Sequence, residues 1–166
     1  MFKTDQESRR EFFRQSFGLA LLLGVPLVSH AYRAPAFRVH KTPEEWRAQL
    51  SPAQYAVLRE EDTETPNSSP LLHEKRAGIF HCVGCDNELY DSATKFESGT
   101  GWPSFYQALD GAVGTKEDNG WFMKRTEVHC ADCGGHLGHI FADGPKPTGM
   151  RHCINGVALT FKPKTA

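Results

Sequence analysis

The chain has no surplus of positive charge: 19 Lys and Arg stand against 20 Asp and Glu, a formal net charge of −1 over 166 residues. Residues 1–31 carry Lys3, Arg9, Arg10 and Arg14 against Asp5, Glu7 and Glu11, so the remainder stands at −2. That argues against nucleic-acid binding driven by charge, which needs a basic face. A membrane-spanning run is missing too. Phe17 to Val28 is uncharged and mostly apolar, but as a helix it covers about 18 Å against a hydrocarbon core of roughly 30 Å. Internal repeats and low-complexity tracts are absent, and no helical periodicity separates the short apolar runs after Gly78, so the sheets are expected to be antiparallel. Cysteine is scarce, with five in all. The rest of the composition, 39% apolar and 23% charged, is that of one ordinary globular domain.

The first 31 residues read as an export signal. Ser8-Arg9-Arg10-Glu11-Phe12-Phe13-Arg14 places paired arginines ahead of the apolar run, and Ser29-His30-Ala31 puts small residues at the −3 and −1 positions of a cleavage site. The pattern resembles a bacterial twin-arginine signal cleaved after Ala31. It implies a periplasmic protein that crosses the membrane folded, with no stable anchor. An uncleaved anchor or a chance amphipathic tail is the competing reading.

Residues 32–41 read as a linker. Two helix starts then share one grammar: Thr42-Pro43-Glu44-Glu45 and Ser51-Pro52-Ala53-Gln54 each place a hydroxyl at N-cap, proline at N1 and Glu or Gln at N3. Trp46 with Leu50, and Tyr55 with Leu58, give each short helix an apolar stripe to lay on the body. Thr63 to Pro70 reads as surface loop. Beyond it, Ile79–Cys82, Ser104–Gln107, Trp121–Cys130, His136–Phe141, Arg151–Asn155 and Val157–Phe161 are the expected strands, with a hairpin turn at Asp118-Asn119-Gly120. The fold class expected is mainly β, two small antiparallel sheets with short N-terminal helices packed on them.

Four of the five cysteines fall in two C-x-x-C pairs, Cys82 with Cys85 and Cys130 with Cys133, separated by 44 residues. Two such turns present the four thiolates of a closed structural zinc site, and at this separation one ion would clip together distant segments. A pair of disulfides, or a dithiol redox centre in one C-x-x-C, are the rival readings. Cys153 is left over. In a strand, Arg151, Cys153 and Asn155 share one face while His152 and Ile154 take the other, so a cation stands beside the sulfur and favours the nucleophilic thiolate. A buried structural cysteine is the alternative, and Asn155-Gly156 can end the strand as a hairpin dipeptide. His136, His139, Asp143 and Trp102 are weak signals taken singly. His129 and His136 can also support Cys130 and Cys133 from behind.

Taken together, Gly78-Ile79-Phe80, the run Lys95 to Phe105 containing Gly99-Thr100-Gly101-Trp102-Pro103-Ser104, His136-Leu137-Gly138-His139, Asp143-Gly144-Pro145 and Arg151-His152-Cys153-Ile154-Asn155 closely resemble the methionine-R-sulfoxide reductase B family. The resemblance runs from about Thr42 to Lys162, within an expected domain of residues 42–164. It implies two antiparallel sheets, a four-cysteine zinc site, and reduction of the R epimer of methionine sulfoxide in oxidised proteins and peptides. Carried across, Cys153 is the nucleophile and Trp102 seats the substrate's S-methyl group. His136, His139, Asp143, Arg151 and Asn155 line the polar side, with His139 as the acid and the rate falling as pH rises through its pKa. The chemistry needs an activated cysteine, an acid and an apolar slot, and leaves a sulfenic acid on Cys153.

Many family members carry a resolving cysteine where this chain has Thr100, which implies a one-cysteine member recycled by an external, thioredoxin-like thiol donor. A monomer is expected. Two other functions compete: a zinc-ribbon module that binds nucleic acid or a partner without catalysis, and a periplasmic dithiol carrier. The first predicts a basic or aromatic face and leaves Cys153 idle; the second needs a C-x-x-C free of metal.

Overall fold

A computed structural model describes residues 37–119 and 124–165; the expected export signal, the first half of the linker, Gly120 of the expected turn and the first three residues of the strand expected from Trp121 lie outside the described residues. Two capped helices open the body, α1 (Pro43–Gln49) and α2 (Pro52–Glu60). In each, the cap side chain accepts from the N3 backbone N–H while the N3 side chain accepts from the cap N–H, as the paired Thr/Glu and Ser/Gln spacing expects. Trp46, Leu50, Val57 and Leu58 are buried, and the half-buried Tyr55 ring lies under the Arg47 guanidinium.

Nine strands follow among the described residues: β1 (Gly78–Cys82), β2 (Glu88–Asp91), β3 (Lys95–Phe96), β4 (Ser104–Phe105), β5 (Val113–Asn119), β6 (Lys124–Cys130), β7 (His136–Phe141), β8 (Arg151–Ile154) and β9 (Leu159–Pro163). They form a three-stranded sheet, β2-β1-β9, and a six-stranded sheet, β3-β4-β8-β7-β6-β5. All pairings are antiparallel. The expected fold class is therefore the one observed. Aromatic rings join the two sheets: Phe105 of β4 stacks on Tyr90 of β2 at 4.3 Å and meets Phe80 of β1 edge-on at 5.0 Å. Such pairs stabilise by about 0.5–1.5 kcal/mol each beyond the area they bury.

Several strand bounds differ from the sequence reading. Asp118 and Asn119 belong to β5, paired with Arg125 and Lys124, and are not turn residues. β8 ends at Ile154, and Asn155 leads into a single 3-10 turn, Gly156–Ala158. That turn is no hairpin, because β8 and β9 lie in different sheets: it carries the chain from one sheet to the other. β9 starts two residues later than Val157 as a result.

Candidate active site and metal centre

The cysteine pairs sit in the tight turns that follow β1 and β6. Each turn ends in a left-handed residue, Asp86 at φ 63° and Gly134 at φ 66°, so that the chain reverses while both sulfurs point the same way. The four Sγ atoms all lie within 4.8 Å of one another. Two of the contacts, Cys85 to Cys130 at 3.5 Å and Cys82 to Cys133 at 3.7 Å, join different turns, and all four cysteines are free of disulfides; the sulfurs form a single cluster. Hydrogen bonding from Cys133 holds the Cys130 thiol far below its usual range, and bonding to Cys130 pushes Cys82 far above it. A cation among four sulfurs this close would let all of them ionise. The cluster is arranged to hold a metal ion.

Each helix fastens one of these turns. Gln49 Nε2 donates to the Gly84 carbonyl at 2.7 Å, and Arg59 donates to the Cys133 carbonyl at 3.0 Å. The cysteine cluster therefore brings the three-stranded sheet and the six-stranded one together beneath a helical cover.

Cys153 lies elsewhere, in the middle of the six-stranded sheet. The alternation read from the sequence holds: Cys153 and Asn155 border one pocket, whereas His152 bonds Tyr90 at 3.2 Å on the other face and Ile154 is fully buried. Register places Ser104 of β4 on one side of Cys153 and His139 of β7 on the other. The row continues through Glu127 of β6 to Lys116 of β5. Directly opposed residues project from the same face, so this row is a polar seam across the sheet. Gly138 makes room beside it, since a Cβ there would stand 2.0 Å from the Cys153 carbonyl oxygen.

The pocket holds about 140 Å³ and is lined by Thr63, Trp102, Arg125, Gly138, His139, Phe141, Cys153 and Asn155. Trp102 enters on a turn whose glycines, Gly99 at φ 72° and Gly101 at φ 94°, adopt the left-handed backbone that other residues resist. A larger hollow of about 600 Å³ lies between α2, the loop 62–71 and the start of β9. It contains neither thiol nor imidazole, so the smaller pocket is where sulfur chemistry can occur.

Of the seven residues expected around the sulfur, Trp102, His139, Cys153 and Asn155 border the pocket; His136, Asp143 and Arg151 stand outside its lining. Arg151 makes a two-pronged pair with Asp143 at 2.9 and 2.8 Å and lies over the Phe141 ring. Its charge is therefore largely answered. Burial pushes the Cys153 thiol above its usual range, more than the Thr100 hydroxyl at 3.8 Å and Arg151 pull it down. Arg151 does pull the sulfur toward the thiolate, as expected of a cation beside it, but burial outweighs that pull. Asp143, expected on the polar side, is engaged by Arg151, and the carboxylate contact to His139 is made elsewhere.

That contact belongs to Asp118, whose carboxylate lies 2.9 Å from His139 Nε2 and also accepts from Arg125 at 2.7 Å. Burial lowers the His139 pKa against the opposing pull of Asp118. The lowered Asp118 carboxyl, held down first by His139, is an ionised acceptor. Nε2 therefore carries the proton, and the neutral ring keeps a free lone pair on Nδ1. His136 is buried behind it, ring centroids 5.4 Å apart. Its Nδ1 stands 3.1 Å from Glu127 Oε1, yet neither ring nitrogen has an aligned hydrogen bond. Sequence reasoning misses Asp118 and Arg125; alternation along β6 puts Arg125 on the face of Glu127, which is the available signal.

Residues 50–163 match the SelR domain. The chain belongs to the SelR domain family. It is 54% identical over 125 residues to the peptide methionine sulfoxide reductase MsrB of Methanosarcina mazei, covering 75% of this chain and 89% of that protein. To the MsrB of Pseudomonas putida it is 55% identical over 128 residues, 76% of this chain and 96% of the relative. The Bradyrhizobium diazoefficiens MsrB is likewise 55% identical over 128 residues, 76% of this chain and 92% of the relative. A solved structure, the Mis18 'Yippee-like' domain, aligns with 55% of this SelR chain and 100% of its own at a TM-score of 0.43 and 15% identity, too distant to carry an argument.

Proposed function

We propose that this SelR-family chain reduces methionine sulfoxide in peptides and proteins, with Cys153 as nucleophile and His139 as proton carrier. The observation that carries the reading is the opposition of His139 and Cys153 across β7 and β8 in a pocket walled by Trp102 and Phe141. The names of the relatives, peptide methionine sulfoxide reductases, point the same way.

The resting pair is neutral, a thiol beside an imidazole whose Nδ1 is free to accept. His139 takes the thiol proton as Sγ attacks the sulfoxide sulfur, and the imidazolium returns it to the sulfoxide oxygen. The sulfur–oxygen bond breaks and the oxygen ends, protonated, on Cys153. Methionine leaves, Cys153 becomes a sulfenic acid, and no net proton is consumed. Asp118 supports the transient imidazolium, and Asn155 borders the oxygen side of the pocket. Trp102 and Phe141 give the methyl group an apolar wall opposite the polar one. A sulfoxide sulfur is chiral, so a pocket with one apolar and one polar wall admits one epimer, and the family resemblance supports R.

The ion at Cys82, Cys85, Cys130 and Cys133 is proposed to be zinc, because tetrahedral zinc–thiolate bonds place sulfurs about 3.8 Å apart, close to the 3.5 and 3.7 Å approaches present. Zinc there is structural and supplies no chemistry at Cys153. With those four thiols committed and Thr100 beside Cys153, the sulfenic acid is reduced by an external dithiol of the thioredoxin-like class, which takes up the oxygen as water and leaves as a disulfide. Export through the twin-arginine pattern of residues 8–14 would put this cycle in the periplasm. No helix among the described residues is long and apolar enough to cross a membrane.

The test is turnover of a peptide carrying methionine-R-sulfoxide, with the S epimer beside it and dithiothreitol as reductant. Methionine formed from the R peptide alone is the expected result. Absence of turnover in metal-replete protein would sink the reading, and equal turnover of both epimers would sink the stereochemical part.

A further inference from the structure

Asn155 sits at the N-cap position of the turn Gly156–Ala158 and does not cap it. Its side chain is engaged elsewhere: Nδ2 donates to the Leu137 carbonyl at 3.0 Å, and Oδ1 accepts from the backbone N–H of Glu64 at 3.0 Å. The first N–H groups of such a turn have no partner within it and normally take one from the cap residue. Here a residue far away in sequence supplies it. One Glu64 carboxylate oxygen accepts from the Gly156 N–H at 2.6 Å and the other from the Val157 N–H at 2.8 Å. The Glu64 carbonyl, in turn, accepts from Trp102 Nε1 at 3.2 Å.

One residue of the loop after α2 thus holds two walls of the Cys153 pocket through its peptide groups, and its side chain fixes where those peptide groups stand. The turn it grips has little freedom to retreat, since a Cβ at Gly156 would lie 2.0 Å from Ser69 Oγ. Bonds from N–H groups to a carboxylate are roughly twice as strong as neutral ones, and two of them converge on this side chain.

We infer that Glu64 is a positioning residue for the reductase reaction, clamping its loop onto the turn after Asn155 so that Trp102 and Asn155 are held at the geometry the sulfoxide meets. The inference rests on the proposed function for its kinetic consequence, and on the hydrogen bonds alone for its structural one. Replacing the side chain leaves the Glu64 peptide groups in the chain but removes what holds them in place. Glu64→Gln keeps a single acceptor oxygen and turns an amide N–H toward a backbone N–H; it should fall between the wild type and Glu64→Ala.

The experiment compares wild type, Glu64→Gln and Glu64→Ala at a temperature well below the melting point of all three. Kinetics on the methionine-R-sulfoxide peptide is combined with hydrogen exchange of the Trp102 indole proton by NMR and with iodoacetamide alkylation of Cys153. Losing two charge-assisted bonds should lower kcat/KM by about 10- to 100-fold in Glu64→Ala, and Trp102 indole exchange should accelerate at least about tenfold, as expected for a lost bond of that strength. Alkylation of Cys153 and metal content should stay near wild type, which separates positioning from general destabilisation. A kcat/KM for Glu64→Ala within about twofold of wild type, or a loss with Trp102 exchange unchanged, would overturn the inference; RT ln 2 is well under the bond strength invoked. If Glu64→Ala does not fold, Glu64→Gln decides by the same readouts. If wild type itself fails to turn over the peptide, the reductase reading falls and indole exchange alone judges the clamp.

Discussion

His139 faces Cys153 directly across the β7–β8 ladder, and its far nitrogen is bonded to Asp118 on β5. Two neutral groups with opposite pKa displacements, thiol up and imidazole down, make a pair that holds one transferable proton over a broad pH range. Pairs of titratable groups driven apart in this way are where acid and base roles are found.

The pH profile follows from those directions. Below the His139 pKa, which is depressed from the usual value of about 6.5, the imidazolium cannot accept the thiol proton. Above the Cys153 pKa, raised from about 8.5, the proton needed by the sulfoxide oxygen is gone. Single-turnover rates should therefore be flat through neutrality and fall on both sides, whereas the sequence alone leads to a simple fall through the histidine pKa. Iodoacetamide alkylation, which needs only the thiolate, should keep rising past about pH 8.5. Alkylation that levels off below about pH 8 would contradict a raised Cys153.

Substitution should rank His139 above Asp118. His139→Asn removes the proton carrier and should slow the chemical step by about 10²- to 10⁴-fold. Asp118→Asn leaves the ring but loses the carboxylate that fixes its tautomer, and should cost about 10- to 100-fold, the worth of one hydrogen bond to a charged group. Both variants should retain metal and melt near wild type. Equal single-turnover rates for Asp118→Asn and wild type would remove Asp118 from the reaction.

Much of this is legible in the residues, and the failures have physical causes. β7 can be read to the residue because a C-x-x-C turn with glycine bounds it on one side and Asp143-Gly144-Pro145 follows it closely on the other. β2 and β3, of four and two residues, escape a sequence reading because the run Glu88 to Phe96 has no Gly, Pro or Asn to mark where they begin and end. β5 escapes it because its seven residues are mostly exposed or half-exposed, so no apolar face marks it. The Asp118–His139 contact spans 21 residues and two inter-strand pairings, and only the register, set by the bulge at Val128/His129, brings the two together. Glu64 has the look of loop because the bonds it makes lie 38 to 93 residues away.

Metal removal should act on the fold before it acts on the chemistry. Cys130→Ser leaves three thiolates for one ion and loosens the only clip joining the turn after β1 to the turn after β6 among the cysteines described. Structural zinc binding is folding free energy, so the variant should lose its ion, measured by elemental analysis, and melt well below wild type. Cys153→Ser should do the reverse, keeping ion and melting point while losing activity. A metal-free protein with an unchanged melting temperature would show that the cluster is not a structural site.

The Thr100 hydroxyl lies 3.8 Å from Cys153 Sγ, on a turn held by bonds from Ser98 to Thr100 at 2.8 Å and from Ser98 to Ser104 at 2.7 Å. A sulfur at that position would be near enough to attack an oxidised Cys153, whereas a hydroxyl is not nucleophilic enough to do so at neutral pH. Thr100→Cys should therefore convert the cycle. After one turnover without reductant, wild type should show a trappable sulfenic acid on Cys153 and one methionine released per chain, with its ion still bound. The Thr100→Cys variant should show no trap adduct and a disulfide between the introduced thiol and Cys153, seen as a loss of about 2 Da relative to the reduced chain, since a disulfide is what a sulfenic acid forms with a thiol in reach. Intact-mass and peptide mapping would decide it. A wild-type disulfide between Cys153 and Cys82, Cys85, Cys130 or Cys133 would overturn the one-cysteine cycle, because it would mean that a metal thiolate, and not an external donor, resolves the oxidised sulfur.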